Sequence, residues 1–251
     1  MLIKPEAMKR IAYLSLFFLM GANVQANEYN ASLFGCKSDG VTNNTSSIQY
    51  AIDFIANEGG GTLHFYVGRY LTGSFELKSN VTIELHEGAV LLASPNVYDY
   101  LDYSGSRALI YANGQSNIKI QGKGVIQGQV PLFTANMETL VSKGIMGRDS
   151  KQLLPDLIRM ENSKQVSVDG IMLLNGLENV QSYVGCTQLT LSNQIIKSNV
   201  YESSTGIFLS SCSGVELRAL YVDASGKALR EVGKNEIRIQ ENCVTPNGKK
   251  L

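Results

Sequence analysis

Four carboxylates in the second half of the chain, Asp169, Glu178, Glu202 and Asp223, are the side chains best suited to general acid–base work. Such work needs a positioned proton donor or acceptor near the reacting bond. A lone acid at a turn is more often a solvated surface charge, so only spacing can decide between the two. Lys227 and Arg230 lie just beyond Asp223. Both can hold a ligand carboxylate, the guanidinium in a bidentate pair, and solvated charge is the competing reading. Tyr98, Tyr100 and Tyr103 interleave with Asp99 and Asp102. A tyrosine ring can stack on a sugar while its hydroxyl hydrogen-bonds, which makes Tyr100 a candidate contact. Packing of a loop against the body is the favoured reading, and the chain has no Trp. The only histidines are His64 and His86. His64 alternates with apolar neighbours and reads as structural, and a Ca²⁺ site would call for several clustered carboxylates. Neither a metal nor a cofactor is expected.

These residues sit on a repeating frame. Short segments alternating polar and apolar residues begin at Asn80, Asn117, Gln165, Gln188, Gly214 and Glu236. Alternation is the signature of a strand with one buried face. Their first apolar residues are Val81, Ile118, Val166, Leu189, Val215 and Ile237, and the last four are spaced by 23, 26 and 22 residues. The earlier gaps, 37 and 48, must hold loops or extra rungs. Several segments continue past a Gly- or Asn-bearing turn into a second strand. The second half has no room for crossover helices, which excludes a doubly wound sheet. A stack of coils, each burying its face on the next, fits this spacing. One helix is evident from the stripe Ile48, Ala51, Ile52, Ile55 and Ala56, with Asn43-Asn44-Thr45 as its N-cap and Gly59-Gly60-Gly61 as its stop. It should plug the N-terminal end of the stack, because an open rung is a template for aggregation.

Lys4, Lys9 and Arg10 precede an apolar run, Ile11 to Met20, too short for a mature membrane anchor, and Val24-Gln25-Ala26 supplies small residues at a cleavage site. Residues 1–26 are therefore read as a signal peptide cleaved after Ala26, giving a secreted or periplasmic protein. Residues 27–251 are read as one coil domain, with a cap over about 31–62 and coils over about 63–248. The whole chain balances 22 Lys+Arg against 22 Asp+Glu. That balance argues against nucleic acid or an anionic membrane as partner, since both attract clustered positive charge. Cys36, Cys186, Cys212 and Cys243 show no disulfide framework and no CxxC spacing. Free thiols stacked inside the coils are the favoured reading.

Leu33-Phe-Gly-Cys-Lys-Ser-Asp-Gly, then Tyr70-Leu-Thr-Gly-Ser-Phe-Glu-Leu-Lys-Ser-Asn-Val-Thr-Ile-Glu-Leu, Glu87-Gly-Ala-Val-Leu-Leu, Gly122-Lys-Gly-Val-Ile-Gln-Gly and Leu154-Pro-Asp-Leu-Ile-Arg resemble the polygalacturonase family, family 28 of the glycoside hydrolases. The resemblance covers about residues 31–248. It implies an all-β, single-stranded right-handed parallel β-helix of the pectin-lyase type, with a short N-terminal capping helix. It also implies O-glycosidic hydrolysis of a pectic, galacturonate-containing polysaccharide with inversion, in which one carboxylic acid protonates the leaving oxygen and another carboxylate activates water.

The family's acids are replaced here. Its Asn-Thr-Asp slot falls on Ser203, Ser204 and Thr205, and its Asp-Asp slot on Gly226 and Lys227. Asn247-Gly-Lys-Lys-Leu stands where Gly-His-Gly belongs, and no basic strand follows. A threonine hydroxyl is too weak an acid to replace a carboxyl, and each lost acid or base costs about 10²–10⁴-fold in rate. The expectation is a degenerate or truncated relative that hydrolyses weakly or not at all. Glu202 and Asp223 are the candidate relocated acids, and Lys227, Arg230 and Tyr100 the candidate substrate contacts. A Ca²⁺-dependent lyase and a non-catalytic, polysaccharide-binding or structural β-helix are the alternatives. The bare C-terminal coil predicts self-association through its open edge.

Overall fold

The computed structural model describes residues 27–147, 154–239 and 242–251. The proposed signal peptide, residues 1–26, lies outside the described residues. Three parallel sheets of eight, six and seven strands run along one axis, and successive turns of the chain add one strand to each. The chain is a right-handed parallel β-helix. One late coil shows the pattern: Thr187–Ser192 joins the eight-stranded sheet, Ile195–Ser198 the six-stranded sheet and Thr205–Ser210 the seven-stranded sheet.

The rung residues stack as their spacing predicts. Ile118 pairs with Val166, Val166 with Leu189, Leu189 with Val215 and Val215 with Ile237. The polar residue opening each repeat has its own role. Asn80, Asn117, Gln165 and Gln188 all adopt φ between 56° and 65°, the left-handed conformation that turns the chain into the eight-stranded sheet. Asn donors tolerate it better than Gln, and Asn117 also donates to Asn80 across the turn at 3.0 Å.

The two long gaps are loops inserted at one corner, between the six- and seven-stranded sheets. The first runs from Ala89–Ala93 to Ser106–Asn113 and the second from Val125–Gln127 to Asp156–Glu161. The second loop contains a helix, Val130–Ser142, that the repeat pattern did not reveal. Its buried face is only Val130, Phe133 and Met137, too sparse to stand out against the strands. The expected helix is present over Thr45–Asn57, with Ile48, Ala51, Ile52 and Ile55 buried, and it packs against the first coil. Its cap differs in detail from expectation. Asn43 Oδ1 accepts from the Thr45 amide at 3.0 Å, whereas the buried Asn44 side chain accepts from the Lys37 amide at 2.7 Å.

All four cysteines are free and buried. At the far end, Val244 bridges Tyr221 and Lys250, so the last residues fold over the edge of the six-stranded sheet. Strands Leu229–Val232 and Ile237–Ile239 form the last rungs of the other two sheets. No helix among the described residues is long and apolar enough to cross a membrane.

Leu189 is fully buried between two rungs, whereas Ile237 lies on the last one. Leu189→Ala should cost about 2–5 kcal/mol, and Ile237→Ala clearly less. Urea unfolding of both variants measures this; equal losses would mean that the stack is not anchored at its centre.

Candidate active-site groove

Three successive strands of the seven-stranded sheet begin in register, and their first residues, Asp156, Asn179 and Thr205, form a row across the coils. Ala108 pairs with Asp156, and Asn179 pairs with Thr205. Asn179 Nδ2 donates to Asp156 Oδ1 at 3.0 Å. Thr205 therefore lies two rungs from a carboxyl that is 4% exposed, roughly 10 Å along the axis at about 4.8 Å per rung.

Burial pushes the Asp156 carboxyl up to about 6, and the neighbouring Glu178 charge adds to the shift, while Asn179 and the Arg159 guanidinium oppose it. Arg159 donates from Nη1 to Asp156 at 3.4 Å and from Nε to Glu161 at 2.6 Å. Tyr111 donates its hydroxyl to the other Glu161 oxygen at 3.2 Å. A groove of about 340 Å³ opens over this network, lined by Asp156, Glu178, Asn179, Arg107, Arg159 and Arg230 among others. The inserted corner loop builds one wall. It holds Arg107 through the carbonyls of Val97 and Tyr100, at 3.0 and 3.1 Å. Arg230 is exposed, lies 5.5 Å above the Phe208 ring, and has no carboxylate within ion-pair distance among the described residues. Three guanidiniums facing two carboxyls, one with a pKa near 6, can grip an anionic chain and hold a transferable proton.

The residues singled out in the sequence are dispersed around this groove. Arg230 and Glu178 line it. Ser203 and Glu202 are exposed at the turn before Thr205. Ser204 is buried and hydrogen-bonded to Ser198 at 2.8 Å, so it is structural. Thr205 is buried, with its amide donating to the Glu178 carbonyl at 2.8 Å. At Gly226 an added Cβ would stand 2.9 Å from the Ser204 carbonyl oxygen and 3.1 Å from that of Ser203. Any side chain there requires the backbone to move, so glycine is built into this turn. Asp223 belongs to the six-stranded sheet and accepts from Asn199 at 2.9 Å. It shares a separate cavity of about 620 Å³ with Gly226, Lys227, Lys249 and Lys250, near the end of the chain. Asp169 accepts from Ser192 and Asn193 on the outer face of the eight-stranded sheet.

Tyr100 requires a correction. It is 4% exposed, its hydroxyl donates to the Ser94 carbonyl at 2.6 Å, and its ring meets Phe133 edge-on at 5.9 Å. It pins the inserted loop to the wall and offers nothing to a ligand. Tyr103 likewise stacks on Tyr111, with ring centres 3.7 Å apart. Asp156, Arg107 and Arg159 were missed as site residues. The available signal was positional: Asp156 opens its strand at the same step as Thr205 opens its own.

The sequence profile described as Glycosyl hydrolases family 28 matches residues 64–246. The chain belongs to this family of glycosidases. It is 34% identical to the exo-poly-alpha-D-galacturonosidase of Dickeya chrysanthemi over 163 residues, which are 58% of this chain and 25% of that protein. A Parabacteroides merdae protein provisionally described as a glycosyl hydrolase is 41% identical in its crystal structure, with a TM-score of 0.83 over 88% of this chain and 99% of that one. The family 28 exopolygalacturonase of Yersinia enterocolitica shares the fold at 22% identity, with a TM-score of 0.73 over 86% of this chain and 48% of that one. The chain spans less than half the length of the curated relatives it matches.

The Asp156 carboxyl, near 6 in the fold against 3.8 when free, favours the folded state fully only below about pH 4. That contribution is lost as pH rises through 6, and about two units correspond to about 3 kcal/mol. Asp156→Asn, which mimics the neutral acid, should therefore gain melting temperature relative to wild type between pH 4 and pH 8. A difference independent of pH would mean that the carboxyl is not forced to ionise in a buried site.

Proposed function

We propose that this protein is an exported family 28 relative that binds a pectic, galacturonate-containing polysaccharide in the groove over the seven-stranded sheet. The row of guanidiniums carries this reading: Arg107, Arg159 and Arg230 line one groove with Asp156 and Glu178. A galacturonate chain presents a carboxylate on each sugar, which matches a line of cations better than a neutral glycan does. The names of the relatives, exo-poly-alpha-D-galacturonosidase and exopolygalacturonase, point to the same substrate class. The basic cavity at Asp223, Lys227, Lys249 and Lys250 is the natural second contact for such a chain. Export rests on the N-terminal segment alone, and self-association on the last rungs of the eight- and seven-stranded sheets.

Ordinary family hydrolysis is weak or absent in this reading, because Thr205, Gly226 and Lys227 provide neither acid nor base. One observation favours a second reading, in which hydrolysis uses relocated acids. Asp156, with its carboxyl near 6, is suited to donate a proton at neutral pH, and Glu178 lines the same groove. Glu202 is the weaker candidate because it is exposed outside the groove, and Asp223 because it lies on another sheet. A Ca²⁺-dependent elimination has no dense carboxylate cluster behind it among the described residues, and a purely structural β-helix would not need the groove.

Calorimetry with a galacturonate oligomer against a neutral xylan oligomer tests binding. Wild type should bind only the acidic oligomer, and Arg230→Ala should weaken it about tenfold, equivalent to about 1.4 kcal/mol. Equal affinity for both oligomers would overturn the binding reading. Reducing-end release then separates the two versions of catalysis. If wild type releases sugar and Asp156→Asn lowers the rate by about 10²–10⁴, relocated acids operate; if wild type binds and releases nothing, the protein is a binder.

A further inference from the structure

The outer face of the eight-stranded sheet carries a second constellation, far in sequence from the groove residues. His64 lies in Gly61–Phe65 and is in register with Glu84 in Val81–Leu85. Leu63, Phe65, Ile83 and Leu85, their neighbours along each strand, are fully buried, so both polar side chains point outward. His86 follows one residue after the second strand, its amide donating to the Phe65 carbonyl at 3.0 Å. Two histidines 22 residues apart in sequence thereby meet across one rung, with His64 Nδ1 at 2.9 Å from His86 Nε2. Glu84 Oε1 stands 4.0 Å from His86 Nε2. One donor atom from each of the three side chains falls within 4.8 Å of the other two.

What surrounds these atoms distinguishes the group from an ordinary polar ladder. His64 Nε2 is hydrogen-bonded to the carboxylate of Glu28. An ionised carboxylate only accepts, so the His64 ring proton sits on Nε2 and Nδ1 accepts from His86 Nε2; taking up a cation shifts the His86 proton to its Nδ1 and leaves a lone pair on each of the two facing nitrogens. Gln121 donates to Glu84 Oε2 at 3.0 Å and leaves Oε1 available. The Tyr66 ring stacks on His86, with centres 4.4 Å apart and planes 9° from parallel, and fixes its orientation. Each of the three side chains is thus held by an outer partner, the arrangement that orients metal ligands, and for His64 it also sets the tautomer.

We propose that His64, His86 and Glu84 form a binding site for a late first-row divalent cation such as Zn²⁺, with Glu28, Gln121 and Tyr66 as its supports. Two imidazole nitrogens and one carboxylate oxygen suit Zn²⁺, Co²⁺, Ni²⁺ or Cu²⁺, whereas Ca²⁺ and Mg²⁺ prefer oxygen ligands throughout. In a tetrahedron with bonds of about 2.0–2.1 Å, donor atoms lie roughly 3.4 Å apart. Two separations, 2.9 and 4.0 Å, bracket that value and the third is no more than 4.8 Å, so side-chain rotations on the two strands can close the site. Three protein ligands leave the fourth position to water or to an incoming group. The ion would tie together the first two coils, with Glu28 adding the strand Asn27–Asn30 on their other side. The site is independent of the groove, and its test does not depend on polysaccharide binding.

The test is calorimetric titration of tag-free, chelator-treated protein with ZnCl₂. Wild type should bind one Zn²⁺ per chain with a micromolar or tighter Kd, with no comparable heat from CaCl₂ or MgCl₂. His86→Asn removes a partly exposed ligand and should weaken binding at least about 100-fold, and Zn²⁺ should raise the melting temperature of wild type but not of the variant. X-ray absorption at the zinc edge should show nitrogen and oxygen ligands with two imidazoles. The absence of saturable Zn²⁺ binding, unchanged affinity in a folded His86→Asn, or sulfur in the zinc shell from a cysteine would each overturn the proposal. Should the variant not fold, the absorption spectrum of wild type decides alone.

Discussion

Everything in this molecule follows from one constraint, the in-register stacking of parallel rungs about 4.8 Å apart. Register fixed by hydrogen bonds sends each side chain of one coil onto its counterpart in the next. An apolar counterpart extends the core, as in the column from Ile118 to Ile237. A polar counterpart extends a ladder outside it, as in His64, Glu84 and Gln121 on the eight-stranded sheet. A one-residue slip would turn every buried side chain outward, so the core enforces the register that the polar ladders use. The left-handed turn residues Asn117, Gln165 and Gln188 hold the corners at which each coil is reset.

Chemistry appears where a ladder is interrupted by something that needs compensation. Asp156 is such a place: a carboxyl carried into a buried row by its rung position, with Asn179 and Arg159 as its partners. Its cost to the fold is offset by neighbouring apolar rungs, and the same burial that raises its pKa makes it a usable proton donor. The strand Ser106–Asn113 adds Arg107, held by carbonyls of the inserted corner loop, and the last rung of the seven-stranded sheet adds Arg230. One sheet thus gathers cations from residues more than a hundred positions apart.

The periodic part of this design was legible in the sequence. The six first apolar residues of the repeats, the capping helix and the unpaired cysteines depend on local pattern, and local pattern is what alternation and spacing report. What could not be read depends on which rung an insertion belongs to. The gaps of 37 and 48 residues hid the helix Val130–Ser142 and the alignment of Asp156 with Thr205. Tyr100 reads as a candidate sugar contact because a tyrosine ring can stack while its hydroxyl hydrogen-bonds, but the ring is drawn inward against Phe133. Arg230 stood out in the sequence by its charge beside Lys227, whereas Arg107 lay on the far side of an insertion. The two histidines looked unrelated because only the register of two strands brings them together.

The central claim is that an acidic polysaccharide lies along the guanidinium row of the seven-stranded sheet. Hydrogen exchange read by mass spectrometry, with and without a galacturonate oligomer, tests it most directly. The account predicts slowed exchange in the segments around Ser106–Arg107, Asp156–Arg159, Glu178–Asn179 and Leu229–Arg230, with the eight-stranded sheet unchanged. Protection confined to the eight-stranded sheet, or no protection under conditions where the oligomer binds, would contradict it.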